Sequence, residues 1–298
     1  MQTVNLVMVN RYHGRSIWTF EDTMLALSAL LNQAGYQTRI TANLIVPGAI
    51  NILFGVGSVF SHSYEEVRQF ASPEHTIIFN GEQVESTSGL ITPEYLDFLS
   101  QYVVVDWCQP NVDAILRRAP SCPGAFELPL FPAPGLAPMP PQDWIMKFDL
   151  GFYGAVVPRR RVMLDALERE GISIKYIENV YGPKLSEHLL ECRYILNLHA
   201  YETDLLEINR CLRPMSMGIP VISEASTLPA SGDWNDSGIQ FAPTEGFAPA
   251  VKRILAAPDN CLVASRKTVQ FTQRADNALR IRAVMERAQA ALAAVSVA

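Results

Sequence analysis

The segment from Tyr194 to Glu224, YILNLHAYETDLLEINRCLRPMSMGIPVISE, limits the possible folds more tightly than any other part of the chain. Its pattern predicts a strand over Tyr194–Leu198, then a polar loop holding His199, Tyr201 and Glu202. A helix follows in which Glu207 and Arg210 lie one turn apart, stopped by Gly218, and a second strand runs over Ile219–Ser223. Two short, continuous apolar strands joined through a helix make a parallel unit buried on both faces. In open sheets of this kind, ligands sit at the carboxyl ends of strands and the amino ends of the helices that follow. The polar residues of this segment fall at that edge and mark it as a ligand site.

The same alternation runs through the chain. Val4–Val9 reads as a strand, and Phe20, Met24, Leu27, Leu31 and Ala34 recur at helical spacing between a candidate N-cap, Thr19, and a stop at Gly35. Thr38–Ile45, Asn51–Phe54, Thr76–Phe79 and Tyr102–Val105 are further strands. Ser63-x-x-Glu66 has capping-box spacing, and Thr92-Pro93 pairs an N-cap with a proline at the first helical position. Prolines 129, 132, 134, 138, 140 and 141 exclude regular structure between Leu128 and Trp144 and predict an extended linker. Beyond it come strands over Leu150–Gly154 and Ile172–Ile177, helices over Arg160–Glu170, Leu185–Cys192 and Phe247–Ala256, and a closing helix near Ala275–Ala294. The expected organisation is an α/β chain with an amino-terminal domain over 1–140, a carboxyl-terminal domain over 141–275, and a last helix over 276–298 packing back on the first domain.

Composition excludes several classes. The net charge of −6 argues against a nucleic-acid partner, which needs a basic face, but leaves room for a small anion held by a few local donors. The amino terminus reads as a first strand rather than a signal peptide, and no apolar run reaches the roughly 18 residues of a membrane span. Cys108, Cys122, Cys192, Cys211 and Cys261 are scattered and never form C-x-x-C, which fits reduced thiols in a cytoplasmic protein.

Several residues carry candidate chemistry. In GFYGAVVPRRR, Gly154 follows a strand, and Arg159, Arg160 and Arg161 crowd a helix amino terminus, where the dipole disfavours cations. A bound diphosphate would account for them; a solvated basic patch is the alternative. Tyr181, in the loop Glu178–Gly182, stands where a base would stack, or is simply an exposed tyrosine. Glu207 is placed to accept ribose hydroxyls and Arg210 to reach phosphate, against the alternative of an ordinary surface ion pair. Pro214 removes the hydrogen bond to the Arg210 carbonyl and should kink the helix. His199 at the strand end is either a ligand contact or structural. In the first half, the loop Asn10–Thr19, the segment Asn80–Gln83 and Asp106 share one sheet edge, which makes His13, Glu82 and Asp106 the candidates for a general base.

No G-x-G-x-x-G after a strand, Walker loop, G-x-S-x-G, H-E-x-x-H or paired-cysteine metal site occurs, and the absence of D-x-D counts against a sugar-nucleotide site built on a metal. Two segments resemble glycosyltransferases of the GT-B architecture, in a loosely defined bacterial group. One is LNLHAYETDLLEINRCL…GIPVISE, with its histidine after the strand and Glu-x-x-Arg. The other is IIFNGEQ…VVVDWCQPNVDAIL, with Asn80, Glu82, Gln83, Asp106 and Asn111 at matching places. The resemblance implies two Rossmann-like domains with parallel sheets facing across an interdomain cleft. It implies a nucleotide-sugar on the carboxyl-terminal domain, with Tyr181 near the base, Glu207 on the ribose, and Arg210, Gly154 and the arginine cluster near the diphosphate. Many relatives place a glutamate five residues before the glycine of G-x-P-V, where this chain has Arg213, so the stereochemical outcome stays open.

The resulting expectation is a metal-independent glycosyltransferase that needs no cofactor beyond its nucleotide-sugar donor. It would act on a glycan, lipid-linked glycan or protein acceptor, with Arg159, Arg160, His199 and Tyr201 among the donor contacts. The competing readings are an epimerase or hydrolase of nucleotide-sugars and a catalytically silent nucleotide- or sugar-binding protein.

Overall fold

A computed structural model of the chain describes residues 1–9, 20–57, 64–86, 89–139, 145–201, 205–226 and 234–296. The chain forms two compact units, Met1–Leu130 together with Ala275–Ala298, and Phe131–Arg274.

The first unit is built on six parallel strands: β1 (Thr3–Met8), β2 (Gln37–Ala42), β3 (Ile50–Phe54), β4 (Thr76–Asn80), β5 (Val103–Asp106) and β6 (Gly124–Glu127), in the order β2-β1-β3-β4-β5-β6. Every residue of β3, β4 and β5 is buried, as expected of strands covered on both faces. Four helices, α1 (Glu21–Gln33), α2 (Tyr64–Phe70), α3 (Pro93–Leu99) and α4 (Gln109–Arg118), lie between the strands. Thr92 caps α3 as its spacing predicts, its hydroxyl accepting the Tyr95 N–H at 3.2 Å with Pro93 at the first helical position. The expected caps Thr19 and Ser63 lie outside the described residues. The final helix, Asp276–Val295, buries Ile281, Met285, Ala288 and Leu292 and packs against α1, β5 and β6.

The second unit holds five parallel strands, β7 (Phe148–Tyr153), β8 (Ile174–Ile177), β9 (Cys192–Asn197), β10 (Val221–Glu224) and β11 (Gln240–Ala242), in the order β11-β10-β9-β7-β8. The chain leaves β7 toward β8, then crosses to the other side of β7 to form β9. Its topological switch point, where the crevice of such a sheet opens, is therefore the carboxyl edge of β7 and β9. Its helices are α5 (Pro158–Arg169), α6 (Gly182–Leu189), α7 (Asn209–Ser216), α8 (Phe247–Ala256) and α9 (Asn260–Thr272). Strands β6 and β11 have no counterpart in the sequence pattern, being four- and three-residue strands at sheet edges with too few apolar residues to signal themselves. The proline-rich stretch has no helix or strand over 128–139, as expected, but Leu128, Leu130, Phe131 and Ala133 are buried and the Ala133 N–H donates to Ser216 Oγ at 3.1 Å. That half is packed structure rather than a free linker.

Helix α7 corrects the expectation for Glu207, which precedes it. The approach is a tight turn in which the Arg210 N–H reaches the Glu207 carbonyl at 3.1 Å and the Cys211 N–H reaches that of Ile208 at 2.7 Å. Pro214 does sit inside α7 and cannot donate to the Arg210 carbonyl. The phenol of Tyr153, at the end of β7, donates to that carbonyl instead, so the proline's lost bond ties α7 to the strand beside it. Tyr153→Phe should cost about 1–3 kcal/mol, the range for a carbonyl left without its partner. A lowered urea midpoint with an unchanged slope is the expected result.

Candidate functional site

The switch point of the second sheet is organised by two consecutive arginines. Adjacent residues of a helix point about 100° apart, so Arg159 and Arg160, in the first turn of α5, reach opposite sides of the chain leaving β9. Arg160 is 1 % exposed; its Nη2 donates to both oxygens of Glu207 at 2.8 Å, its Nε to the Leu198 carbonyl at 2.9 Å and its Nη1 to the Ala155 carbonyl at 2.8 Å. Arg159 grips Glu224 with Nη1 at 2.8 Å and Nη2 at 2.6 Å, and its Nη1 also reaches the His199 carbonyl at 3.0 Å. The same carboxylates take the next backbone donors along. His199 N–H goes to Glu224 at 2.7 Å, and Ala200 N–H to Glu207 at 2.6 Å. Two successive peptide units are thus held through both donors and acceptors.

Both carboxylates are heavily engaged. Glu224, fully buried at the end of β10, also accepts from Thr244 Oγ1 at 3.2 Å, and Glu207 Oε2 is ion-paired with Arg210, whose Nε lies 3.0 Å away. A carboxylate offers about four acceptor positions; Glu224 uses four, and Glu207 accepts three hydrogen bonds beside the Arg210 charge. Burial pushes both carboxyls up, but the guanidinium charges and backbone donors outweigh it. Arg210 and Arg160 with the Ala200 N–H hold Glu207 below the usual glutamate range, and Arg159 with the His199 N–H does the same for Glu224.

Arg210 differs from the other two arginines. Its Nη1 reaches the Tyr153 carbonyl at 3.3 Å, and its Nη2 has no hydrogen-bond partner among the described residues. Its side chain is 17 % exposed. The guanidinium lies against Gly154, which has φ +110° and where a Cβ would come within 2.9 Å of its Cζ and both terminal nitrogens. The Phe152 ring centre lies 6.0 Å from its Cζ. With three arginines and two ionised glutamates, the cluster carries one net positive charge; Arg159 and Arg160 each hydrogen-bond both oxygens of one carboxylate, whereas Arg210 only shares Glu207 through its Nε.

Several expectations change here. The arginines of α5 need no bound anion to account for them, because Glu224 and Glu207 neutralise Arg159 and Arg160 from within. Glu207, expected to accept ribose hydroxyls, is instead held by Arg160, the Ala200 N–H and the Arg210 charge. His199 is buried and its backbone is the clamped unit; Tyr201, half-buried, lies within electrostatic reach of Arg160. Tyr181, also half-buried, occupies the N-cap position of α6. Glu224 was not singled out from the sequence. The signal available was a charged residue ending a buried strand, which needs an internal cation.

In the first unit, Asp106 ends β5, fully buried. It accepts from Asn80 Nδ2 at 2.5 Å, Cys108 N–H at 3.0 Å and Asn111 Nδ2 at 3.2 Å. Burial raises its carboxyl to about 7 against the pull of these donors. Asn80 in turn accepts from Tyr95 Oη at 2.7 Å and donates to the Glu82 carbonyl at 2.8 Å, and Asn111 donates to that carbonyl at 3.0 Å and accepts from the Val84 N–H at 3.0 Å. The network fixes the segment after β4, and with it Glu82. That side chain lies across Gly57, where a Cβ would meet its Cγ and Oε1 at 3.0 Å. Its carboxylate has no hydrogen-bond or ion-pair partner among the described residues, and burial raises it to about 7. His13 lies outside the described residues. No cluster of three or more His, Cys, Asp or Glu able to hold a metal, and no helix long and apolar enough to cross a membrane, occurs among the described residues.

No family model matches the chain. Its curated relatives include uncharacterized protein L137 of Acanthamoeba polyphaga mimivirus, 34 % identical over 82 residues (27 % of this chain), and uncharacterized protein L140 of the same virus, 23 % identical over 204 residues (63 % of this chain). The matched segments cover 11 % of L137 and 64 % of L140. Similar solved structures include AviGT4, a glycosyltransferase involved in avilamycin A biosynthesis, at TM-score 0.55 and 14 % identity, covering 99 % of each chain. Anabaena Alr3699/HepE, solved with UDP and glucose, gives TM-score 0.57 at 11 % identity over 97 % of this chain and 100 % of that one. WaaG, a glycosyltransferase of lipopolysaccharide biosynthesis, gives 0.50 at 11 % identity over 96 % and 98 %. At these identities the likeness is one of fold, and it shows the two-domain, Rossmann-like GT-B architecture.

The lowered carboxyls fix a sign. A glutamate held below its ordinary 4.5 stabilises the fold above that value, and this contribution is lost as the pH falls through the depressed one. Asp106 and Glu82, raised to about 7, act oppositely, their contribution being lost as pH rises toward 7. Glu224→Gln should therefore lose about 2–4 kcal/mol at neutral pH, somewhat less than the roughly 3–5 kcal/mol of a fully buried broken pair because Arg159 is partly exposed. Its deficit relative to the unmodified protein should shrink below pH 4.5, as followed by circular dichroism during urea unfolding.

Proposed function

We propose that this protein is a glycosyltransferase that moves a sugar from a nucleoside-diphosphate sugar to a hydroxyl of a glycan, lipid-linked glycan or protein. We place it in the cytoplasm and assign it no metal ion or further cofactor. The observation that carries this reading is the Arg210 guanidinium, partly exposed, seated on Gly154 at the switch point of the second sheet and held in a frame of neutralised charge. The leaving diphosphate gains negative charge as the bond to the sugar breaks, and a preset guanidinium stabilises that charge without reorganising. The fold is shared with proteins whose described activity is glycosyl transfer, and HepE has been solved with UDP-glucose.

On the acceptor side Glu82 is the favoured proton acceptor. Its carboxylate is unengaged among the described residues and titrates near neutral pH, where a general base is most effective. Asp106, held by three donors, acts as the residue that positions the Glu82 segment.

Thermal-shift measurements against UDP, GDP, CMP, ADP and dTDP should show a raised melting temperature with at least one of them. Arg210→Ala should weaken that ligand roughly tenfold or more by calorimetry. With the matching nucleotide-sugar, turnover should persist in EDTA, rise as pH increases through about 7 and fall on the order of a hundredfold in Glu82→Gln. Absence of any nucleotide-dependent shift, or Arg210→Ala binding like the unmodified protein, removes the donor site from this edge.

A further inference from the structure

We infer that Glu207 is a positioning residue that aims Arg210, and that this edge recognises the diphosphate of its ligand without using Glu207 on the ribose. The inference deepens the donor site proposed above and rests on that reading.

The geometry of the carboxylate carries it. Glu207 Oε1 receives Arg160 Nη2 and the Ala200 N–H, while Oε2 receives Arg160 Nη2 and is ion-paired with Arg210 Nε, all at 3.0 Å or less. A pair of ribose hydroxyls donating to Glu207 would have to displace the Arg160 guanidinium or a backbone N–H, since three of its roughly four acceptor positions are used and Arg210 crowds the remaining one. Arg210 is placed the opposite way. Only its Nε is committed to a charge, its Nη1 makes one long contact to a carbonyl, and its Nη2 is unused among the described residues. The ion pair to Glu207 is made through Nε, which leaves the terminal nitrogens uncommitted to that carboxylate. Gly154 supplies space that a side chain would fill, so the guanidinium packs closely against the backbone there. A fork of this kind matches phosphate oxygens. The recognised chemistry is a phosphoanhydride, with or without a nucleoside attached.

The test compares two probes on four proteins. The probes are inorganic pyrophosphate and whichever of UDP, GDP, CDP, ADP and dTDP binds the unmodified protein; the proteins are unmodified, Glu207→Gln and the double variant Glu207→Gln/Arg210→Gln, with Arg210→Gln as the reference for the double variant. If Glu207 acts through Arg210, Glu207→Gln weakens both probes by the same factor, about tenfold, and adds nothing in the Arg210→Gln background. A loss confined to the nucleotide, no loss with either probe, or a further loss in the double variant overturns the inference. Pyrophosphate failing to bind while the nucleotide binds also overturns it. Pyrophosphate binding without any nucleotide would leave the inference standing and sink the donor reading instead; binding of neither ends both. Should Glu207→Gln not fold by circular dichroism, the unmodified protein is compared with the nucleotide and its 2′,3′-dideoxy analogue. A change under twofold supports the inference, and a tenfold loss refutes it.

Discussion

The interaction on which the second unit depends is the pair of arginine–glutamate contacts made by neighbouring residues of one helix. Burying four charges at the exit of a strand is unfavourable unless each is paired and its remaining hydrogen-bonding capacity is used. Arg159 and Arg160 meet that condition on opposite sides of the same peptide units, and Glu224 and Glu207 complete it with the His199 and Ala200 N–H groups. The strands β7, β9 and β10 are thereby registered at their carboxyl ends by charge as well as by their backbone ladder. Because the frame is neutral in itself, it exists before any ligand arrives, and no counter-ion has to be recruited to build it.

The first unit uses its buried carboxylates differently. Asp106 spends its acceptors on Asn80, Cys108 and Asn111, and that network fixes the Glu82 segment through its backbone. Glu82 itself is left with a carboxylate that burial alone perturbs. One acid is consumed in holding the other in place, a division of labour that composition cannot reveal, since both read as acidic residues at strand ends.

What was legible in the sequence follows from which signals are local. The strands β3, β4, β5 and β9 are continuous apolar runs bounded by polar residues, and their positions fell where hydrophobicity alone puts them. The Thr92-Pro93 cap was readable because both of its partners lie within one turn. Glu207 and Arg210 were legible as a pair, but the turn that carries them was not, because a tight turn and the first turn of a helix bring residues three apart equally close. The partners of Arg159 and Arg160 were hidden. Glu224 lies 65 residues beyond Arg159 and Glu207 47 beyond Arg160, and nothing local distinguishes an arginine that will be buried on a distant carboxylate from one that faces a ligand. Pro214 read as a defect because the hydroxyl that replaces its missing bond comes from Tyr153, on another element.

The seat of Arg210 on Gly154 also constrains how this chain can drift. A methyl group at 154 would strike the guanidinium, and the backbone there has a positive φ that side chains rarely adopt. Position 210 can lose its arginine while 154 stays glycine, but a side chain at 154 must push the guanidinium aside as well as adopt that backbone. The positive φ holds 154 to glycine whether or not the guanidinium remains, so of the two sites only 210 is open to drift.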